Sequence, residues 1–87
     1  LFRSAELNPA AFNIYPTLTT GLVQYHFGEQ QEEYTINIYD IFGKAVYSEK
    51  VTANNGTLLL SNLPAGNYLI TGASDSNLYY QRIEVIH

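Results

Sequence analysis

The chain has 87 residues with a formal net charge of −4 and only four Lys and Arg residues, so it lacks the clustered basic side chains that a nucleic-acid surface needs. Hydrophobic residues make up 46% and charged residues 14%, which is too apolar for a disordered tail and fits one small domain. The absence of Cys excludes disulfides and thiolate zinc sites. No apolar run is long enough for a membrane span or a signal-peptide core.

The first eleven residues, LFRSAELNPAA, have no clean periodicity, and Pro9 lies among small side chains. We therefore expect residues 1–11 to be a linker or irregular lead-in from an upstream part of the same protein. Because the chain starts at Leu1 and not at Met, we interpret it as a piece of a longer protein. The remaining residues, 12–87, are predicted to form the folded domain.

Short alternating segments follow, each bounded by turn signals. The segment FNIY (12–15) ends at Pro16, which cannot donate to a β-ladder. In GLVQYHF (21–27) and YTINIYD (34–40), large apolar residues occupy every second position, as expected for half-buried strands. Between these two strands lies GEQQEE (28–33), which is polar and acidic and is predicted to be a solvated loop.

A hairpin is predicted next. Asp40 is expected to cap a turn in which Gly43 adopts a positive φ, and AVYSEKV (45–51) returns as the partner strand. The alternative for Asp40 and Gly43-Lys44 is a recognition epitope. The following ANNG (53–56) is predicted to be a second turn, because Asn55-Gly56 is a type I′ signal. The strand TLLLS (57–61) comes after it.

The stretch LPAGNY (63–68) places a Tyr directly after a turn, at the start of a late strand. Such a Tyr is typical of the tyrosine corner of Greek-key sandwiches, in which the hydroxyl bonds to backbone a few residues upstream. We expect Pro64 and Gly66 to bend the chain, Leu63 to close one end of the core and Tyr68 to fix the crossover.

After Tyr68 the chain continues as NYLITGA (67–73), a turn SDSN (74–77) and the closing strand LYYQRIEVI (78–86). No window has sustained helical spacing of apolar residues. About seven strands with turn signals every 8–12 residues predict an all-β fold, a small antiparallel immunoglobulin-like or Greek-key sandwich.

Four segments together resemble a known family. IYPTLTTG (14–21) contains Tyr15-Pro16, INIYDIFGKAV (36–46) contains Tyr39-Asp40 and Gly43-Lys44, LSNLPAGNYLI (60–70) contains the Leu63–Tyr68 turn, and QRIEVI (81–86) closes the chain. In this order and at this spacing they resemble the type A C-terminal sorting domain of the type IX, or Por, secretion system of Bacteroidetes. The resemblance covers residues 12–87.

This resemblance implies a folded address label at the C-terminus of a larger exported cargo. It implies recognition by an outer-membrane translocon after passage through the periplasm, removal by a sortase-like peptidase, and delivery to the cell surface or the medium. The candidate recognition residues are in the closing strand: Gln81, Arg82, Ile83, Glu84 and Val85. Of these, Ile83 and Val85 are predicted to face the core, whereas Arg82 and Glu84 either meet a partner or form a solvated face that protects an edge.

An enzyme is not expected, because the sequence has no Gly-rich phosphate loop, no H-E-x-x-H and no G-x-S-x-G. No metal or other cofactor is expected either, since His26 has no Cys or second His nearby. The alternative to a sorting domain is a binding or spacer module, for example a carbohydrate-binding or fibronectin-like sandwich. A natural chain end at His87 would favour the sorting domain, because a spacer need not be last in its parent.

Overall fold

A computed structural model describes residues 12–28, 33–75 and 77–87. Within these ranges all regular elements are strands: β1 (Phe12–Tyr15), β2 (Leu18–Thr19), β3 (Leu22–Phe27), β4 (Tyr34–Tyr39), β5 (Ala45–Val51), β6 (Asn55–Leu59), β7 (Gly66–Ala73) and β8 (Leu78–Val85). The described part contains no helix of the length and apolarity needed to cross a membrane. The predicted lead-in, residues 1–11, and most of the acidic loop lie outside the described residues.

The strands form two sheets, one with the order β1-β3-β6 and one with the order β2-β8-β7-β4-β5. Strands with one apolar face must stack in this way to bury it, so the predicted sandwich is confirmed. The strand pairs are antiparallel with one short exception, since the two-residue strand β2 pairs in parallel with β8. So short a strand has no alternation that the sequence could reveal.

Alternate residues of the strands fill the core, as the period-two pattern predicts. The fully buried side chains with the largest volume come from both sheets and from Leu60, directly after β6: Tyr34, Phe27, Ile36, Ile38, Leu58, Leu60, Ile70, Ile83, Val23 and Val85. At one end of the core the rings of Phe27 and Tyr34 stack with centroids 3.7 Å apart, and Phe12 lies 5.0 Å from Phe27.

The type I′ turn predicted at Asn55-Gly56 was wrong. Both residues belong to β6 and pair with β3, in the register Gly56 to Tyr25 and Asn55 to His26. A Cβ on Gly56 would lie 2.7 Å from the hydroxyl oxygen of Tyr25, so this glycine makes room for a ring. The local signal misled because the chain crosses here from one sheet to the other instead of folding back as a hairpin.

Candidate recognition surface

Three of the four motif segments meet at a surface groove. This groove has a volume of about 490 Å³ and is lined by residues from the β4–β5 turn, the start of β7 and the middle of β8: Asp40, Ile41, Asn67, Tyr68, Leu69 and Arg82. We call it the motif groove. Its lining residues come from segments that are far apart in the sequence, so only the fold brings them together.

The sheet register explains this convergence. Leu69 of β7 pairs with Tyr39 of β4 on one side and with Arg82 of β8 on the other. Residues opposite one another in neighbouring strands point to the same face of a sheet. Tyr39, Leu69 and Arg82 therefore form one row on the outer face of the five-stranded sheet.

Asp40 fixes the turn that borders the motif groove. Its Oδ1 accepts hydrogen bonds from the backbone N–H groups of Phe42 at 2.9 Å and Lys44 at 3.0 Å, and Gly43 has φ +83°. These are the features that the sequence predicted for this turn. At its tip the side chains of Ile41 and Phe42 are 73% and 87% exposed, which leaves two large apolar groups beside the groove.

The LPAGNY turn forms the wall next to β7. Tyr68 is buried, and its hydroxyl donates to the carbonyl oxygen of Pro64 at 2.5 Å, as expected for a tyrosine corner. Leu63 is buried in the core, and its carbonyl oxygen lies 2.8 Å from Nε2 of His87. The chain beyond β8 thus returns to this turn, a contact that no sequence pattern indicated.

The residues predicted for recognition in β8 divide between two faces. Ile83 and Val85 are 2% and 0% exposed, so they belong to the core and a partner cannot reach them in the folded domain. Arg82 and Glu84 are exposed, and Gln81 is half-buried with its side-chain amide donating to the Arg82 carbonyl at 3.2 Å. Of these five residues, Arg82 lines the motif groove.

The opening motif lies elsewhere. Tyr15 belongs to β1 in the three-stranded sheet, opposite Gln24, and it precedes a cis peptide bond to Pro16. After this bond the chain moves to the other sheet, where Thr17 and Thr19 accept backbone hydrogen bonds from Glu84 and Ile86 at 2.7 and 2.8 Å. Tyr15 and Pro16 are not among the residues that line the motif groove.

Among the described residues no group of three or more His, Cys, Asp and Glu side chains is placed to hold a metal.

The clearest electrostatic feature lies on β5, where the Tyr47 hydroxyl donates to the Glu49 carboxylate. Burial, that hydrogen bond and the charge of Glu49 raise the pKa of Tyr47 to about 12. Burial, with a smaller contribution from Glu49, also raises the pKa of Tyr25.

Three of the groove residues were missed by the sequence analysis: Ile41, Asn67 and Leu69. Each stands inside a motif that was identified, but at a position where an outward side chain looks like ordinary surface. The sequence did contain a signal for Leu69. It is a large aliphatic residue on the outward side of a strand, between the buried residues Tyr68 and Ile70.

The fold places this chain among immunoglobulin-like β-sandwiches. It is similar to the crystal structure of a DUF3244 family protein with that fold from Bacteroides vulgatus, with a TM-score of 0.69, 19% identity and 77% of each chain covered. At this identity the likeness concerns the fold alone. No significant match to a curated protein was found.

The family follows from the sequence itself. The model of the secretion system C-terminal sorting domain matches residues 13–86, so the chain belongs to this family. The resemblance to type IX sorting domains predicted from the four motifs is thereby confirmed. The domain has the role of a C-terminal sorting signal in that secretion system.

Proposed function

We propose that this domain directs a larger cargo protein across the outer membrane through the type IX translocon, and that the translocon reads the motif groove. The supporting observation is the meeting of three family motifs at one surface of the folded domain. Family membership supports the sorting role itself. In this proposal the cargo is upstream in the same chain, passes through the periplasm, and ends at the cell surface or in the medium after cleavage by a sortase-like peptidase.

The composition of the groove favours a protein partner. Leu69 is 37% exposed and Ile41 is 73% exposed, and apolar groups of this kind beside a groove are typical of interaction sites. Arg82 adds a planar cation with several donors, a side chain that is enriched where proteins bind proteins. Within the described ranges no carboxylate forms an ion pair with this guanidinium, so it is free to meet a partner's acidic group.

The fold does not need these outward side chains. Some motif residues stabilise the turns or the core, as described above: Asp40, Gly43, Leu63 and Tyr68. The exposed residues are expected to contribute little to stability, because surface substitutions usually change the free energy of unfolding by less than about 0.5 kcal/mol. These residues are Ile41, Leu69 and Arg82. Their placement around a single groove is therefore better explained by recognition than by stability.

The test is a fusion of this domain to the C-terminus of a reporter in a host with the type IX machinery. We expect the unaltered fusion to be secreted. Two variants, Ile41→Ser/Leu69→Ser and Arg82→Ala/Glu84→Ala, should leave the reporter folded in the periplasm. Circular dichroism and chemical denaturation of each purified variant should confirm that the domain remains folded.

The matched control is Leu22→Ser/Leu59→Ser. These two residues pair across β3 and β6 and are 51% and 67% exposed, so the control removes similar apolar area from the other sheet. It should be secreted normally. Normal secretion of the groove variants would place recognition elsewhere, and failure of the unaltered fusion would favour a spacer or binding module.

These point variants are sharper than truncation. Deleting residues 81–87 would also abolish secretion in this proposal, but it removes Ile83 and Val85 from the core and strips β7 of most of its pairing with β8. The domain would unfold, so its loss of function would say nothing about a recognition surface.

A further inference from the structure

Strand β8 is covered along only part of its outer edge. On one side it pairs with β7 over its whole length, from Leu78 opposite Ala73 to Val85 opposite Gly66. On the other side β2 pairs only with Glu84 and Val85. Among residues 12–28, 33–75 and 77–87, no strand pairs with the first part of β8 on that side, from Leu78 to Arg82.

The direction of the backbone groups on this open edge follows from the pairing with β2. The N–H groups of Glu84 and Ile86 donate to Thr17 and Thr19, so even-numbered residues of β8 turn their backbone toward β2. Alternate residues of a strand point their N–H and C=O groups to the same edge, and the register with β7 has no bulge. Leu78, Tyr80 and Arg82 therefore present their backbone groups to the open edge.

From Leu78 to Gln81 this edge lacks the features by which proteins usually block strand addition, and Arg82 is the one charged residue of the open segment. Such features are charged side chains, Pro, bulges and very short strands. Here Leu78 is 64% and Tyr80 is 54% exposed, and the segment is free of Pro and regular in register. Within the described part of the chain, the Arg82 carbonyl has one partner, the Gln81 side-chain amide, and this exposed contact is easily exchanged.

We propose that this open edge accepts an added strand from a component of the secretion machinery, an inference that rests on the proposed function. The domain's own β2 supplies a precedent, because it already pairs with the same edge further along. In strand addition the main-chain hydrogen bonds give affinity, and alternate side chains give specificity.

The chemistry of the incoming segment can be read from the side chains that it would meet. Leu78 and Tyr80 lie on the outer face and favour apolar residues at alternate positions of the partner. Arg82 on the same face has no ion-pair partner among the described residues, and its guanidinium favours a carboxylate. The occupant is therefore an extended segment with alternating apolar side chains and an acidic residue next to Arg82.

A binding experiment tests the edge directly. The probe is a short synthetic peptide of alternating Thr and Val with one central Glu, added to the 87-residue chain and followed by amide hydrogen exchange. Without peptide, the N–H groups of Leu78, Tyr80 and Arg82 should exchange fast while those of Tyr79 and Gln81, directed to β7, exchange slowly. The peptide should slow exchange at the first three, and a peptide with Lys in place of Glu should slow it less.

Secretion of the reporter fusion tests whether the edge is used. Leu78→Lys/Tyr80→Lys places charges along the open edge and should leave the folded fusion in the periplasm. Ala45→Lys/Ser48→Lys places the same charges on β5, at the opposite edge of the same sheet, and should be secreted normally. Neither variant alters a residue that lines the motif groove.

The outcomes separate this inference from the proposed function. Loss of secretion in the folded β8 variant, together with protection by the Glu peptide, supports strand addition. Normal secretion of that variant, or no protection by the peptide, overturns strand addition while secretion of the unaltered fusion keeps the sorting role. Protection that rises with protein concentration, with a dimer in sedimentation, would assign the edge to a second copy and also overturn the proposal.

Discussion

The two faces of the five-stranded sheet differ in what they contribute. Its inner face is almost completely buried, with Ile36, Ile38 and Ile70 at 0% exposure. Its outer face carries the motif groove and the open edge of β8, where Leu78 and Tyr80 are more than half exposed. Because side chains alternate along a strand, one stretch of sequence serves the core with every second residue and a surface with the others.

This alternation explains the composition of the family motifs. In LPAGNYL, Leu63 and Tyr68 serve the fold, whereas Asn67 and Leu69 line the groove. In β8, Ile83 and Val85 serve the fold, whereas Arg82 lines the groove. Such a motif therefore combines side chains that face the core with side chains that line the groove, and the two sets can be separated experimentally by the face on which they lie.

The largest loss of stability is expected from a substitution on the inner face of β8. Ile83→Ala should lower the free energy of unfolding by about 2–5 kcal/mol, because it removes buried methyl groups and leaves a cavity. Ile83→Val should cost less, about 0.5–1.5 kcal/mol. Urea denaturation measures both, and Leu78→Ala on the outer face is the control, with an expected change within about 0.5 kcal/mol. Equal losses at the two positions would contradict the division between faces.

A second test adds atoms to the inner face. A Cβ on Gly72 would lie 2.6 Å from the ring of Phe27, so Gly72→Ala should destabilise the domain by about 1–3 kcal/mol through overpacking. In a Phe27→Leu background the same substitution should cost less, because the smaller side chain relieves the two shortest contacts and leaves the one to Phe12 at 2.9 Å. Thermal denaturation of the four proteins of this cycle gives the coupling; strictly additive losses would mean that the ring does not limit this position.

A smaller effect is expected at the tyrosine corner. Tyr68→Phe removes the hydrogen bond to the Pro64 carbonyl and should cost about 0.5–1.5 kcal/mol, the net contribution of one hydrogen bond. Tyr80→Phe, on the exposed outer face, should be neutral in the same chemical denaturation experiment. A neutral Tyr68→Phe would show that the corner bond does not stabilise the turn.

The smallest effect concerns the part of the inner face that lies on β5. The pKa of Tyr47 is raised to about 12 from an unfolded value of about 10, so the folded state holds this proton more tightly. Stability from this group is complete below pH 10 and declines as the pH rises from about 10 to about 12. Because Tyr47 is partly exposed, solvent screening keeps the effect small.

The measurement is the pH dependence of unfolding in urea between pH 8 and 12, compared with Tyr47→Phe. Tyr47→Phe should lose less stability over this range. In an absorbance titration of tyrosinate formation, this variant should lack one of the ionisations that occur at high pH. Identical pH profiles would indicate that Tyr47 ionises equally in the folded and unfolded chains.

The sequence by itself determined the strands and the turns that depend on near neighbours. Alternation identified the buried residues of β3 and β4, the Asp40–Gly43 turn closed as predicted, and the position of Tyr68 after LPAG predicted its hydrogen bond. These features are set within a few residues by side-chain period, backbone φ and short-range hydrogen bonding, so they can be read locally. Four motifs in order were also enough to indicate the family.

Only the tertiary structure decided which strands are neighbours. β2 is too short to have a period, and its parallel pairing with β8 depends on the chain changing sheets after Tyr15. Asn55-Gly56 has the local chemistry of a hairpin turn, yet both residues lie in β6 because the chain crosses here to the other sheet and pairs with β3. The motif groove is likewise a product of register, since Leu69 meets Tyr39 and Arg82 only when β7 lies between β4 and β8. Pairing partners are chosen by burial of the whole core, and no local pattern contains that information.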